Sequence, residues 1–147
     1  MKNLFDAQAF LEIKDRIDKL TVNDSPKWGK MSVDQMLAHC QFPFEVALQK
    51  QDFGLKPNFL INFFFKKSMH NDKPWRKGLP TVPKFKVTET KVFVEEKQKL
   101  LRLVNEFYAK RAEDNLPDHP SFGHFTKEQW GQLEYKHLDH HLRQFGV

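Results

Sequence analysis

Apolar residues recur at three- and four-residue steps in four stretches of the chain, the spacing of an amphipathic α-helix. In the first, Phe10, Ile13, Ile17 and Leu20 follow a candidate N-cap at Asp6, and the pattern stops in a loop, Thr21 to Lys30, that holds Pro26 and Gly29. The second opens at Ser32 with Gln35 in the capping-box position and runs to about Lys50, with Met36, Leu37, Cys40, Phe44, Ala47 and Leu48 on one side. The third covers roughly Thr90 to Ala112, with Phe93, Leu100, Val104 and Phe107 on one stripe. The fourth starts at Thr126, again with Gln129 three residues on, and continues to Phe145 before Gly146 stops it.

Residues 51 to 89 break the pattern. Pro57 to about Lys67 predicts a short helix, and Pro74, Gly78, Pro80 and Pro83 predict a long loop after it. Strand-like alternation is confined to Phe85-Lys86-Val87. The expectation is an all-α fold: a four-helix bundle whose second and third helices are joined by a long crossover holding a short helix. A crossover of that length carries the chain back to the other end of the bundle, giving up-down-down-up order.

With 147 residues the chain makes one domain, 1–147, and 39% apolar with 29% charged residues is the balance of a globular protein. The longest apolar stretch, Phe59 to Phe65, is far short of the roughly 20 residues of a membrane span, so membrane insertion is not expected. The opening residues show no signal-peptide pattern, and the single cysteine excludes an internal disulfide and a CxxC site, so the expected location is the cytoplasm. Phe59 to Phe65 suits a homodimer interface or packs beneath its own crossover.

Net charge is +5, and it is concentrated. Between Lys66 and Lys91 eight basic residues face only Asp72 and Glu89, and the rest of the chain is close to neutral. Such a segment, with Trp75 inside it, can meet a nucleic-acid backbone, an acidic membrane surface or an anionic small molecule, or be a solvated connector. No RNP-type strand, C2H2 spacing or recognition helix accompanies it, which disfavours nucleic acid.

Seven histidines stand at 39, 70, 119, 124, 137, 140 and 141. On a wheel of about 100° per residue with His137 at zero, Trp130 falls near +20°, Leu133 near −40°, His141 near +40° and Phe145 near +80°. His137 and His141 therefore share the apolar face one turn apart. His140 falls near its edge, about −60°, and Glu134 lies inward near +60°. Gln132, Lys136, Asp139 and Arg143 cover the other side. On the second helix His39 lies with Met36, Pro43, Val46 and Ala47, while Asp34, Gln41, Glu45 and Gln49 face away. Three imidazoles inside a core need partners for their ring nitrogens, and one divalent metal partners all three; a polar core cluster is the alternative. Pro43 has no N–H for the His39 carbonyl, so a kink or unwinding is expected there. Glu134-x-x-His137 matches half of a di-iron site, but position 36 is Met, which favours a single ion. The protease motif H-E-x-x-H is absent, and Cys40, turned away from His39, reads as a core filler.

The run Trp28-Gly29-Lys30-Met31-Ser32-Val33-Asp34-Gln35-Met36-Leu37-Ala38-His39-Cys40 resembles the second-helix signature of the DinB/YfiT-like metalloenzyme superfamily. His119-Pro120-Ser121-Phe122-Gly123, then Trp130 and Lys136-His137-Leu138-Asp139-His140-His141-Leu142-Arg143-Gln144-Phe145-Gly146, resembles the end of one subgroup known only as a domain of unknown function. The resemblance implies an up-down-down-up four-helix bundle and a metal, usually zinc or nickel, bound by His39, His137 and His141. It further implies a thiol-dependent S-transferase or isomerase using a low-molecular-weight thiol such as bacillithiol or mycothiol, and a dimer.

The expected function is thus a mononuclear metal-dependent enzyme acting on a small electrophile, with metal-dependent hydrolysis as the close alternative. A binding or regulatory protein with a structural metal is the rival from another class. Glu134 and His140 are the candidate catalytic groups, and His119 and His124 are candidates for the mouth of the site. Lys73, Trp75, Arg76 and Lys77 are the candidate contacts for an anionic thiol cofactor.

Overall fold

A computed structural model describes residues 1–60 and 63–147; Ile61 and Asn62, inside the Phe-rich stretch, lie outside the described residues. Six α-helices follow one another: α1 (Ala7–Lys19), α2 (Val33–His39), α3 (Gln41–Ala47), α4 (Phe59–Met69), α5 (Phe93–Ala109) and α6 (Lys127–Phe145). Short 3-10 turns lie at Pro83–Phe85 and Lys110–Ala112. Among the described residues there is no strand, only an isolated bridge between His119 and Gly123, so the fold is all-α. Phe85 ends a 3-10 turn that Pro83 starts and Lys86 caps it, so Phe85-Lys86-Val87 forms no strand; no neighbouring strand among the described residues offers a ladder.

The ends of α6 follow their local chemistry. The Gln129 N–H donates to Thr126 Oγ1 at 3.2 Å and the Thr126 N–H to Gln129 Oε1 at 3.0 Å, a reciprocal cap. Gly146 closes the helix in the left-handed conformation, φ 87°. Asp6 stands at the start of α1, but its side chain makes no capping hydrogen bond.

The expected second helix is two helices. Cys40 interrupts the ladder between α2 and α3, placing Pro43 in the first turn of α3 where a missing N–H costs little. Gln41, expected to face away, is buried because α5 covers its side, and its Nε2 donates to the Leu37 carbonyl at 3.2 Å and to Glu96 Oε2 at 2.7 Å.

α1 packs against α5 and α6, α2 and α3 pack against α5, α3 also meets α6, and α4 leans on α6. Ile13, Ile17, Leu37, Phe44, Val104 and Phe107 are fully enclosed between them. The N-terminal segment crosses α6 at Gly131, where the Leu4 N–H donates to the Gly131 carbonyl at 3.0 Å. A Cβ there would fall 1.9 Å from Asn3 Oδ1, so this crossing requires glycine. Among the described residues, no helix is long and apolar enough to cross a membrane.

Candidate metal centre

α2 supplies His39 from its last turn and α6 supplies His137 and His141 from one face, and all three are buried. Each offers one ring nitrogen, and the three atoms lie within 4.8 Å of one another. His39 Nε2 and His137 Nε2 are 3.1 Å apart. The rings meet edge to face, with centroids 5.0 Å apart for His39 and His137 and 4.8 Å for each pair that includes His141.

Two of the three rings are locked from behind. His39 Nδ1 lies 2.8 Å from the Phe85 carbonyl, which can only accept, so Nδ1 carries the proton and Nε2 presents its lone pair inward. His141 Nδ1 lies 2.8 Å from Gln144 Oε1. The Gln144 amide is oriented in turn because its Nε2 donates to the Trp28 carbonyl at 2.6 Å, so His141 also turns an Nε2 lone pair inward. Gly29 makes room for this link: its φ is +81°, and a Cβ would stand 2.7 Å from Gln144 Nε2.

Burial holds all three rings neutral. It lowers the pKa of His39, takes His137 well below the ordinary histidine value with its histidine neighbours adding to the effect, and pushes His141 down to about 3. Neutral imidazoles with converging lone pairs are what a divalent cation needs. Among the described residues, the buried side-chain polar atoms without a hydrogen-bond partner are His137 Nδ1 and the two Glu134 oxygens, all within one turn of α6. Glu134 is fully enclosed, and burial raises its pKa well above the usual carboxylate range. The donor set therefore fits a metal ion, and one of its own ring nitrogens, His137 Nδ1, is left without a partner.

The other expected residues divide. His140 is half-buried, with Trp28 and Trp75 at centroid distances of 5.7 and 5.8 Å, and burial lowers its pKa. Trp75 also meets the His137 ring at 5.8 Å, so the crossover covers the cluster. Lys77 reaches the same rim, with Nζ 4.7 Å from the Trp28 ring centre. Lys73 instead lines a cavity of about 510 Å³ on another flank of α6 with Arg16, Tyr135, Lys136, Asp139 and Arg143, and none of the three histidines lines it. Arg76 is exposed, and no contact among the described residues ties it to the histidines.

His119 does not open onto the site. Its ring packs on Phe122, Phe125 and Trp130, and its Nδ1 accepts the Ser121 and Phe122 N–H groups at 3.1 and 3.2 Å. His124 is exposed beside Asp118, 3.0 Å away. Cys40 is enclosed and burial pushes its thiol pKa up, which fits a core side chain and not a nucleophile.

Gln144, Trp28 and the Phe85 carbonyl complete the site without having been singled out for it. Gln144 had a signal: it falls near −20° on the α6 wheel, next to His137 inside the inward-facing sector, where a polar side chain needs a partner. The Phe85 carbonyl had none, since a backbone acceptor 46 residues away is brought in by the fold. Lys136, expected on the outer side, is buried because the crossover lies over it; its Nζ donates to the Ser68 and Asn71 carbonyls and to Asn71 Oδ1 at 2.6, 3.0 and 2.7 Å.

No curated protein and no solved structure matches the chain. One family model does, the one described as a protein of unknown function, DUF1569, and it matches residues 2–146. Covered almost from end to end by that model, including all three converging histidines, the chain belongs to the DUF1569 family.

Proposed function

We propose that the protein is a mononuclear metal-dependent enzyme in which His39, His137 and His141 hold one divalent ion, zinc or nickel. The reaction proposed is transfer of a low-molecular-weight thiol to a small electrophile. The observation that carries this reading is the convergence of three buried, neutral imidazoles, two of them held by hydrogen bonds on their far nitrogens. An ion held by three neutral ligands keeps positions open and supplies Lewis acidity that favours the anionic form of a sulfur or oxygen nucleophile.

The chain's own groups have separable tasks in this proposal. Phe85 and Gln144 fix the ring orientations of His39 and His141. Glu134, three residues before His137, accepts the proton of His137 Nδ1, so that the orphaned atoms satisfy one another when the ligand set is engaged. His140, neutral and half-buried at the rim, takes the proton of an incoming thiol. Trp28 and Trp75 exclude water from that rim, and Lys77 meets an anionic group on the thiol. The scaffold is proposed to be an up-down-down-up four-helix bundle of α1, the α2–α3 pair, α5 and α6, with α4 in the crossover. The pairings of α1 with α5 and α6, and of α2 and α3 with α5, support it.

The test is turnover of an aryl halide by zinc- or nickel-loaded protein, with and without a panel of small thiols. Turnover that needs both metal and thiol, vanishes in His141→Ala and shows a raised KM in Lys77→Ala is expected. Hydrolysis of activated esters without any thiol would replace the transferase reading with a hydrolase. No turnover by metal-loaded protein on either substrate class would make the metal structural.

A further inference from the structure

α4 is apolar where the other helices are amphipathic, and it turns that surface outward. Phe59 is 80% exposed, Leu60 63%, Phe63 73%, Phe64 66% and Phe65 49%. From helical geometry Phe59, Phe63, Leu60 and Phe64 spread over an arc of about 140°, with Lys67 inside that arc near the C-terminal end. An apolar patch this dense is an interaction surface.

Charge identifies the partner. Residues 53–88 carry Lys56, Lys66, Lys67, Lys73, Arg76, Lys77, Lys84 and Lys86 against the single acid Asp72. The start of the basic loop is held at the end of α4, because Trp75 Nε1 donates to the Ser68 carbonyl at 3.0 Å. Lys66 ties the helix to the body through the Phe122 and His124 carbonyls at 2.9 and 2.8 Å. A second copy of this face is a poor partner. It would set two cationic segments against each other and bury Lys67 within an apolar face. An anionic bilayer surface suits these features: phenylalanines enter the acyl boundary, Lys67 snorkels from among them, and exposed flanking cations such as Lys56 and Arg76 meet lipid headgroups.

We propose that α4, with the basic loop behind it, docks the protein peripherally on anionic lipid membranes. This goes beyond the proposed chemistry and does not depend on it. The test is co-sedimentation of the metal-loaded full chain with vesicles of phosphatidylcholine alone and of phosphatidylcholine with about one third phosphatidylserine. Binding to the anionic vesicles only, weakened by salt, is expected. It should fall by about tenfold or more in Phe63→Ser/Phe64→Ser and in Lys67→Glu. These side chains are exposed, so thermal melts of the variants should match the wild type. Should the double variant fail to fold, Lys67→Glu alone decides. Absence of binding to anionic vesicles, or binding indifferent to these substitutions, overturns the proposal. So does light scattering that shows a dimer dissolved by Phe63→Ser/Phe64→Ser, which would make α4 a contact between copies.

Discussion

Replacing Gln144 with leucine removes the brace behind His141 while keeping the volume of a side chain that is only 3% exposed. Two hydrogen bonds go at once, the 2.8 Å bond to His141 Nδ1 and the 2.6 Å bond to the Trp28 carbonyl. Each group left unpaired in a buried setting costs about 1–3 kcal/mol. The Trp28 carbonyl is near enough to the surface to recover part of its loss through water, so about 2–4 kcal/mol of stability should disappear. The imidazole loses the acceptor that kept its proton on Nδ1, so the tautomer presenting an Nε2 lone pair is no longer favoured. Metal affinity should therefore fall by about 10–100-fold. Urea unfolding of the metal-free protein measures the first quantity, and competition against a zinc chelator measures the second. A variant destabilised as expected whose zinc affinity stays within about twofold of the wild type would refute the reasoning. Gln144 would then be a packing residue, and the orientation of His141 would be set elsewhere.

Gly29→Ala should act on the same link from the other side, since φ +81° disfavours any side chain and the new Cβ would press on Gln144 Nε2. A loss of about 1–2 kcal/mol with weaker zinc binding is expected, read by the same two assays. His119 is held neutral with its pKa pushed down to about 4, mainly by burial and further by Lys66, while the unfolded chain takes up that proton near 6.5. Its contribution is complete above pH 6.5 and is lost as pH falls toward 4, worth about 3 kcal/mol. Urea titrations of His119→Asn, which keeps an acceptor but does not titrate, should show a correspondingly flatter dependence over that window, and an unchanged slope would contradict the assignment. Glu134 has a raised pKa from burial, so in metal-free protein its stability cost grows as pH rises above the ordinary 4.5. Glu134→Gln should melt higher than wild type at alkaline pH and equal to it in acid; equal melting throughout would mean that the carboxyl has a partner.

His137 and His141 were legible because α6 is long and capped at both ends, so its wheel carries over to three dimensions without distortion. His39 was legible because it lies on the regular α2 ahead of the break at Cys40, whereas Gln41, expected to face away, is covered by α5 and donates to Glu96. Pro43 announced the break, but the exact residue depends on how the freed carbonyls find other donors, which is a tertiary matter. Lys136 shows the commonest failure of a helical wheel: it assigns a polar face to solvent, and here the crossover covers that face and gives the ammonium three acceptors. The same crossover, rich in proline and without periodicity, left open whether Phe59 to Phe65 would pack beneath it. The phenylalanines stay outside, while α4 is held to the body through Lys66 and packs on α6.

The central claim is that His39, His137 and His141 hold one metal ion, and its most direct measurement is metal content by plasma mass spectrometry on tag-free protein, wild type beside His137→Ala. The account predicts close to one equivalent in the wild type and almost none in the variant, both confirmed as folded by circular dichroism. No metal in either protein after reconstitution with zinc, nickel and manganese would contradict it, and the three imidazoles would then be a polar core cluster.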